Sequence, residues 1–385
     1  MEISTIIAFV LGWGVEKFFD YILKTQKEKY YLYRLKHKTK KARTNVSTYP
    51  NISIIAEGFP FFCIDKKQIN NNITDKKFFL SLPPNHRAQL INVDGFKTDQ
   101  DVILNYPNIQ HLENILKCSN LKEIIEECKV QIAKKFIERK DGCFFNGKLY
   151  GISESDDYSR TPDENESPIL HLSFFETDYY THRVMWEVCM ELKRRQLIPS
   201  QNLNLSQLNE QFNVFRTSLG ISIIVEIPLT NEIILVKRAR NTSYNEGKEW
   251  IYVSVTETLS ETDYDAYMNK INIKRWIKRA LFEELGLIED YYEEDSIQIY
   301  DMFFENTFYQ DGLTASIKLK KDICFDTIKE FRGRDSRLEI ADKFTIKIEK
   351  QAIIDFMLEN KDVMREQTIF SLQSFCLRKN IKITF

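Results

Sequence analysis

The sequence predicts an α/β (α+β) protein in three parts: an N-terminal transmembrane helix, a mixed α/β middle region and a C-terminal mixed sheet covered by helices on both faces. An apolar run near the N-terminus has about the length that crosses a bilayer. Further along, segments rich in β-branched residues alternate with segments of helical periodicity. Because the chain has 385 residues, more than one small core is expected.

The three parts differ in composition, and this gives their boundaries. Residues 1–44 are expected to hold the transmembrane helix and a basic juxtamembrane segment, and residues 45–165 a mixed α/β region of unknown role. The last part covers residues 166–385 and contains the motif that carries chemistry. The polar, turn-rich stretch at 153–167 is expected to be the linker or exposed loop between the second and third parts.

Bulk composition excludes several classes of protein. With 43% hydrophobic and 29% charged residues, the chain is an ordinary folded protein. A formal net charge of -2 gives no electrostatic reason to expect a nucleic acid polymer as partner. The seven cysteines are scattered and form no CxxC pair, which argues against a zinc site or a disulfide framework and indicates a reducing compartment.

The N-terminus combines an apolar run with a basic flank. The run ISTIIAFVLGWGVEKFFDYIL extends from Ile3 to Leu23, with Ile6 and Trp13 among its apolar residues. The flank KTQKEKYYLYRLKHKTKKAR has nine Lys or Arg against the single acid Glu28. A positive flank of this kind predicts a single-pass anchor at the inner face of the membrane, with the body in the cytoplasm. The alternative is a buried amphipathic helix followed by a solvated basic helix.

Three charged residues interrupt the apolar pattern. Glu16 and Asp20 are one helical turn apart and share a face, and Lys17 lies beside them. Charges at membrane depth are costly unless they face a partner or water. The hypothesis is therefore that these helices associate as a homo-oligomer, around a polar path.

Periodicity predicts the elements of the folded body. A helix is expected over 121–140, where apolar residues recur at three and four. A central helix of the C-terminal part is expected to begin near Asn272 and to end at Gly286, a natural left-handed cap. Around it the sequence predicts the strands GISIIVEIPL, NEIILVKRAR, WIYVSV, IQIYDMFFEN, LTASIKL and KFTIKI, and a final helix, QAIIDFMLENKDV.

The central helix contains KRALFEELGL, residues 278–287. On a regular helix Ala280, Glu283 and Glu284 project in roughly the same direction, since residues three and four apart share a face. Two adjacent carboxylates can hold a divalent cation such as Mg²⁺, and Arg279 can orient an acid or meet a phosphate. The plainer interpretation is that glutamates near a helix end are solvated. The opposite, buried stripe is expected to be Ile273, Trp276, Ile277, Leu281 and Leu285.

This stretch resembles the helix signature of the Nudix family, R-E-(apolar)-x-E-E-x-G-(apolar), which Arg279, Glu283, Glu284 and Gly286 match in register. The resemblance implies an α/β/α sandwich with the helix beside a nucleotide-diphosphate pocket, and Mg²⁺ as its cofactor. Ala280 replaces the glutamate that serves as metal ligand or base in the family. The loop SVTETLSETDYD resembles that of a divergent branch and offers Glu257 as a substitute ligand beside Glu283 and Glu284.

The departure at position 280 makes hydrolysis doubtful, because losing a positioned general base commonly costs about 10²–10⁴ in rate. No catalytic residue is therefore assigned, and Glu283 and Glu284 are the residual candidates. Arginine side chains bind phosphate oxygens in pairs, although each is also an ordinary surface cation more often than not. Tyr179, Tyr180 and His182 are candidates for stacking on a base or, more simply, core residues. The expected ligand-binding arginines are Arg238, Arg240, Arg279, Arg334 and Arg337.

Together the two ends of the chain resemble the membrane-anchored Nudix effectors of bacterial antiphage signalling. That resemblance implies a domain that senses a nucleotide second messenger, such as a cyclic oligonucleotide. It also implies helices that assemble in membrane lipid and disrupt the bacterial inner membrane. The first alternative is a membrane-tethered, Mg-dependent Nudix hydrolase of a nucleoside-diphosphate-linked substrate. The second is a membrane scaffold whose Nudix-like domain only packs.

Overall fold

The computed structural model describes residues 26, 52–57, 69–83, 107–138, 146–158, 169–198, 203, 205–240, 249–268, 270–334, 336–381 and 383. Contacts divide the chain into two compact units, Met1–Thr48 and Tyr49–Phe385. Apart from Gln26, every described residue belongs to the second unit.

The strands of this unit are β1 (Ile52–Glu57), β2 (Ile69–Lys77), β3 (Lys148–Tyr158), β4 (Ile169–Asp178), β5 (Leu219–Ile227), β6 (Glu232–Arg238), β7 (Ile251–Val253), β8 (Val255–Thr258), β9 (Tyr264–Asp265), β10 (Lys270–Ile271), β11 (Tyr292–Glu305), β12 (Gln310–Leu319) and β13 (Ile340–Lys347). The α-helices are α1 (Pro107–Leu116), α2 (Leu121–Glu138), α3 (Tyr179–Arg194), α4 (Leu205–Glu210), α5 (Ile273–Ala280), α6 (Phe325–Ile328), α7 (Ser336–Glu339), α8 (Lys350–Asn360) and α9 (Glu366–Arg378). A π-helical turn, Leu281–Leu285, extends α5.

An eight-stranded mixed sheet forms the centre of the unit. Its strand order is β1-β11-β12-β5-β6-β13, with β7 paired to β6 and β8 paired to β5. Only one of the described pairings in this sheet is parallel, that of β12 with β5. The β5–β6 hairpin turns at Asn231, which has a φ of 53° and so occupies the left-handed region that Asn tolerates.

Helices cover this sheet on both faces, as the sequence predicted. Ile223 and Val225 of β5 belong to one hydrophobic cluster, which includes Trp276 of α5. Ile224 points to the other face, because successive side chains of a strand alternate, and it packs in a second cluster with Phe375 of α9. The mixed α/β class is thus confirmed.

A smaller sheet has the order β2-β4-β3, in which β2 is parallel and β3 antiparallel to β4. The boundary predicted at 165/166 falls between β3 and β4, which are hydrogen-bonded neighbours. In addition, β1 pairs with β11 and so belongs to the large sheet. The predicted linker at 153–167 begins inside β3, where Ser155 pairs with Leu172. The prediction rested on the polarity of this stretch, and polarity does not show whether a backbone is paired in a sheet.

Helix α9 was missed by the sequence prediction, which ended with a helix at α8. The reason is that α9 buries polar side chains. Thr368 and Ser371 are fully buried, and Ser374 is 1% exposed, so the apolar periodicity that marks a helix is interrupted on its buried face. Two of these hydroxyls bond within the core: that of Thr368 donates to the carbonyl of Ile251 over 3.2 Å, and that of Ser374 donates to Asp301.

Within the part of the chain that the structure describes, no helix is long and apolar enough to cross a membrane. The predicted spanning segment lies outside the described residues. The same holds for the residues assigned to it: Ile6, Trp13, Glu16, Lys17 and Asp20.

Candidate functional site

The helix that carries the motif has the limits that the sequence predicted. Asn272 caps its N-terminus, and its side chain accepts a hydrogen bond from the Arg275 amide over 3.1 Å. Gly286 ends it with a φ of 75°, the left-handed conformation that glycine adopts without steric cost. A hydrogen bond of 3.2 Å from the Leu287 amide to the Leu281 carbonyl closes the last turn.

The last turn is π-helical, and a π-turn is wider than an α-helical one. Its two adjacent glutamates have different partners. Glu283 accepts from Arg279 over 2.8 Å, whereas Glu284 accepts from Arg238 over 2.5 Å. The shared carboxylate face that regular helix geometry predicts is therefore divided between two arginines.

Ala280 lies in the hydrophobic core. It is fully buried, in the cluster that contains Trp276 and Ile277. The sequence placed Ala280 on the same face as Glu283 and Glu284, yet both its burial and its neighbours are those of the apolar stripe. The methyl side chain of Ala280 therefore packs in the core.

Arg279 is surrounded by carboxylates. It forms a bidentate pair with Asp263, with Nε to Oδ1 at 2.9 Å and Nη2 to Oδ2 at 2.8 Å. Its Nη2 also donates to the Thr258 carbonyl over 2.8 Å. Its Nη1 donates to Glu283 and lies 3.1 Å from Oε1 of Glu257. We call Arg279, Asp263, Glu257 and Glu283 the Arg279 cluster.

Asp263 is a member of this cluster that sequence reasoning missed. It is fully buried, and its carboxylate accepts from the Ser260 amide over 2.9 Å. The pair forms a capping box on the short helix Glu261–Asp263. The spacing of Ser260 and Asp263 was therefore the available signal, since an acid three residues after a serine is typical of such a cap.

Arg238 forms a second group at the end of β6. Its Nη2 donates to Glu284 over 2.5 Å and to the Thr256 hydroxyl over 2.6 Å. Its Nη1 pairs with Glu339 of α7. The side chains of Arg238 and Glu284 are 7% and 2% exposed, so the pair is taken out of water. We call Arg238, Glu284, Glu339 and Thr256 the Arg238 cluster.

Burial changes the proton affinity of one carboxylate in each cluster. Burial raises the pKa of Glu284 to about 8; the charge of Arg238 opposes this rise, and that of Glu339 adds to it. Burial likewise raises the pKa of Glu257 to about 7, opposed by Arg279 and reinforced by Glu339 and Glu283. Although burial disfavours the charged form of Arg238, Glu284 and Glu339 raise its pKa above the ordinary value.

Two of the remaining predicted arginines, Arg240 and Arg334, lie at the surface. Arg240 is 69% exposed and lies 3.1 Å from Glu249. Arg334 is 76% exposed, and its Nη1 is 3.8 Å from Oε1 of Glu283, a long contact for an ion pair. Arg337 belongs to α7, and its side chain is outside the described part of the structure. Arg240 and Arg334 therefore keep most of their surface for a ligand, whereas Arg238 and Arg279 do not.

The loop that carries Arg334 packs against the motif helix through Gly333. A β-carbon built on Gly333 would lie 2.1 Å from the carbonyl oxygen of Glu283, which no side chain could tolerate. The backbone of Arg332 makes a similar approach to Gly286, at 3.0 Å from its built β-carbon. These contacts fix Arg334 beside the end of the helix.

The aromatic candidates on α3 have mainly structural surroundings. Tyr180 is fully buried and donates to the Lys129 carbonyl over 3.0 Å. Nδ1 of His182 lies 2.9 Å from the Thr217 hydroxyl, and burial lowers the pKa of His182 to about 3. Tyr179 is half-buried, with the guanidinium of Arg183 5.9 Å from its ring centroid.

The carboxylates near the motif do not suit a divalent cation. Mg²⁺ requires a near-octahedral set of oxygens, but the oxygens of Glu283 and Glu257 lie against Arg279, and that of Glu284 against Arg238. Ala280 contributes no oxygen. Among the described residues, no group of three histidine, cysteine or acidic side chains could hold a metal ion.

Comparisons with known proteins give no family for the chain. The sequence matches no protein-family profile and no curated protein. The structure is similar to that of DR0079 from Deinococcus radiodurans, with 10% identity and a TM-score of 0.29, over 41% of this chain and 83% of that one. It is also similar to a NUDIX hydrolase from Nitrosomonas europaea, with 12% identity and a TM-score of 0.26, over 44% of this chain and 93% of that one. Likenesses this slight carry no argument about function.

Proposed function

We propose that the C-terminal part of this protein is a Nudix-like domain that binds a nucleotide without hydrolysing it. One observation carries the proposal: Glu283 and Glu284 are each paired with a different arginine. A hydrolase of this kind needs carboxylates that are free to hold a metal ion or to accept a proton. Ala280 supplies neither, and its burial leaves no room for a substrate beside it.

Electrostatics indicate where the phosphates would bind. The two clusters contain two arginines and five carboxylates, so the interior of the site repels anions when these acids are ionised. The exposed arginines at its rim carry the opposite charge. Arg334 stands beside the helix end and Arg240 at the end of β6, and each has an exposed guanidinium fork. We therefore assign the phosphates of the ligand to these two residues.

Calorimetry on the full chain tests this proposal. Cyclic oligonucleotides and nucleoside-diphosphate-linked compounds would be titrated in Mg²⁺ and again in EDTA, and the mixtures analysed for products. We expect saturable binding of one of these ligands in both buffers, without turnover. Turnover in Mg²⁺ would favour the hydrolase instead, and no binding of any ligand would leave only a packing role for the domain.

Variants locate the binding surface. Replacing Arg334 with Ala removes a charge-assisted contact, so the affinity for the ligand is expected to fall about tenfold or more. Lys321→Ala is the matched control, because Lys321 is an exposed cation on the turn after β12. Equal losses in the two variants would show that the effect is one of overall charge and would contradict the assignment to Arg334.

The proposed cellular role follows from residues 1–44, whose sequence supports it. Nucleotide binding would favour assembly of the N-terminal helices, and the assembled helices would permeabilise the bacterial inner membrane in antiphage defence. Dye release from liposomes that carry the full chain tests this role. Release on addition of nucleotide, reduced in a Glu16→Gln, Asp20→Asn variant, is the expected result. Nucleotide binding without release or change of oligomeric state would refute it.

A further inference from the structure

Arg238 makes the closest charged contact of Glu284. Its Nη2 lies 2.5 Å from Oε1 of Glu284, in a setting where both side chains are almost completely buried. From helix geometry, the sequence predicted that Glu284 could help to hold a divalent cation. Here a guanidinium, which stays protonated at any physiological pH, meets that oxygen instead.

Several contacts fix this guanidinium. Thr256 accepts from Nη2 through its hydroxyl, at 2.6 Å, and through its carbonyl, at 3.2 Å, while Glu339 pairs with Nη1. The backbone is held as well: the Arg238 amide donates to the Trp250 carbonyl over 2.8 Å, and the Ala239 amide to that of Glu339 over 2.8 Å. To admit a metal ion, this side chain would have to give up its hydrogen bonds to Thr256 and its ion pairs with Glu284 and Glu339.

This arrangement makes the binding of a divalent cation at Glu284 unfavourable. A divalent cation would have to displace Arg238 from Glu284 or lie beside a positive charge in a desolvated setting, where repulsion is strong. We propose that Arg238 is a permanent internal cation that takes the place of a divalent metal at Glu284 and excludes such metals from it. This inference goes beyond nucleotide binding, because it concerns the protein without any ligand.

Manganese titration of the full chain, followed by electron paramagnetic resonance of the free ion, tests the proposal. The wild-type protein is expected to show no saturable Mn²⁺ site. Replacing Arg238 with Met leaves Glu284 and Glu339 without their cation, so a saturable Mn²⁺ site is expected to appear in this variant. The matched control is Arg275→Met, which removes an exposed arginine from the first turn of α5 and should leave Mn²⁺ binding unchanged.

A second variant keeps the test decisive if Arg238→Met does not fold. In the wild-type background, Glu284→Gln should leave Mn²⁺ binding as weak as before, because Arg238 already occupies this oxygen. A wild-type Mn²⁺ site that disappears in Glu284→Gln would overturn the proposal. So would a folded Arg238→Met protein that binds Mn²⁺ no better than the wild type. Neither result depends on nucleotide binding, so failure here is distinct from failure of the proposed function.

Discussion

Two buried arginine networks in this protein differ in their balance of charge. In the first, Arg216 and Asp311 are both fully buried and form a bidentate pair, with distances of 2.8 Å and 2.6 Å. Its other partners are neutral: the Asn209 amide oxygen at 2.7 Å and the Ser155 hydroxyl at 2.9 Å. One cation meets one anion, and the rest of the guanidinium is satisfied by uncharged oxygens. We call these four residues the Arg216 cluster.

The second network consists of the Arg238 and Arg279 clusters, in which acids outnumber arginines. It is also less enclosed, since the side chains of Glu257 and Glu339 are 21% and 44% exposed. The Arg216 cluster joins β3 and α4 to β12, so it connects the small sheet to the large one. A balanced, closed network of this kind serves stability, whereas an acid-rich network at the surface can respond to protons, cations and ligands.

The largest effect is expected from breaking the balanced network. Arg216→Met leaves the Asp311 carboxylate buried without its cation, which should lower the free energy of unfolding by about 3–5 kcal/mol in urea denaturation. The double variant Arg216→Met, Asp311→Leu removes both charges and should recover much of this loss. If the double variant is no more stable than the single one, the ion pair is not the cause of the destabilisation.

A smaller loss of stability is expected when a carboxylate is added beside the second network. Ala280→Glu forces a larger side chain into a fully buried position, which should cost about 1–3 kcal/mol from over-packing, with burial of the carboxyl adding to it. Thermal unfolding measures the loss, and product analysis with nucleotide and Mg²⁺ should show no gain of hydrolysis. A stable Ala280→Glu protein that hydrolyses nucleotides would mean that the site has room for a catalytic acid.

Because Gly333 lies against the motif helix, replacing it should cause a further, smaller loss of stability. Gly333→Ala must push the loop away from the Glu283 carbonyl and should cost about 1–2 kcal/mol. It should also weaken nucleotide binding, since Arg334 moves with the loop. Gly147→Ala is the control, because a β-carbon at Gly147 meets nothing within 4 Å. If the two variants unfold at the same temperature, the loop adapts without cost.

The smallest effect is a dependence of stability on pH. Burial raises the pKa of Glu257 to about 7, so the folded protein binds a proton there more tightly than the unfolded chain, whose glutamates titrate near 4.5. Stability from this group is therefore present at pH 4.5 and is lost as the pH rises towards 7, at about 1 kcal/mol per pH unit or less. Glu257→Gln should flatten the curve of unfolding temperature against pH between these limits. If the slope of unfolding temperature against pH is unchanged in Glu257→Gln, the raised pKa of Glu257 is refuted.

The helix that carries KRALFEELGL shows how far local pattern predicts structure. Both of its ends were predicted correctly, because Asn272 and Gly286 act on the backbone within their own turn. Its buried stripe was also correct, since Trp276 and Leu281 are fully buried. The place of Ala280 was not, because it depends on the packing of the helix against other elements and not on the helix itself.

Partners from distant parts of the chain limited the prediction of the site. Glu284 meets Arg238, which lies 46 residues away, and Arg238 meets Glu339, 101 residues away. No periodicity relates such positions, so each charge had to be treated as solvated or ligand-binding in turn. Residues within one helix turn, such as Arg279 and Glu283, could be paired by spacing alone.

The sequence by itself determined the mixed α/β class, six strands of the central sheet and the limits of the motif helix, because these follow from period, caps and turns acting locally. Only the tertiary structure decided how charged side chains from distant parts of the chain pair. Burial makes an unpaired charge costly, so an acid brought under the surface is stabilised by hydrogen-bond donors or by whichever cation the fold places beside it. In this protein that cation is an arginine at both glutamates of the motif.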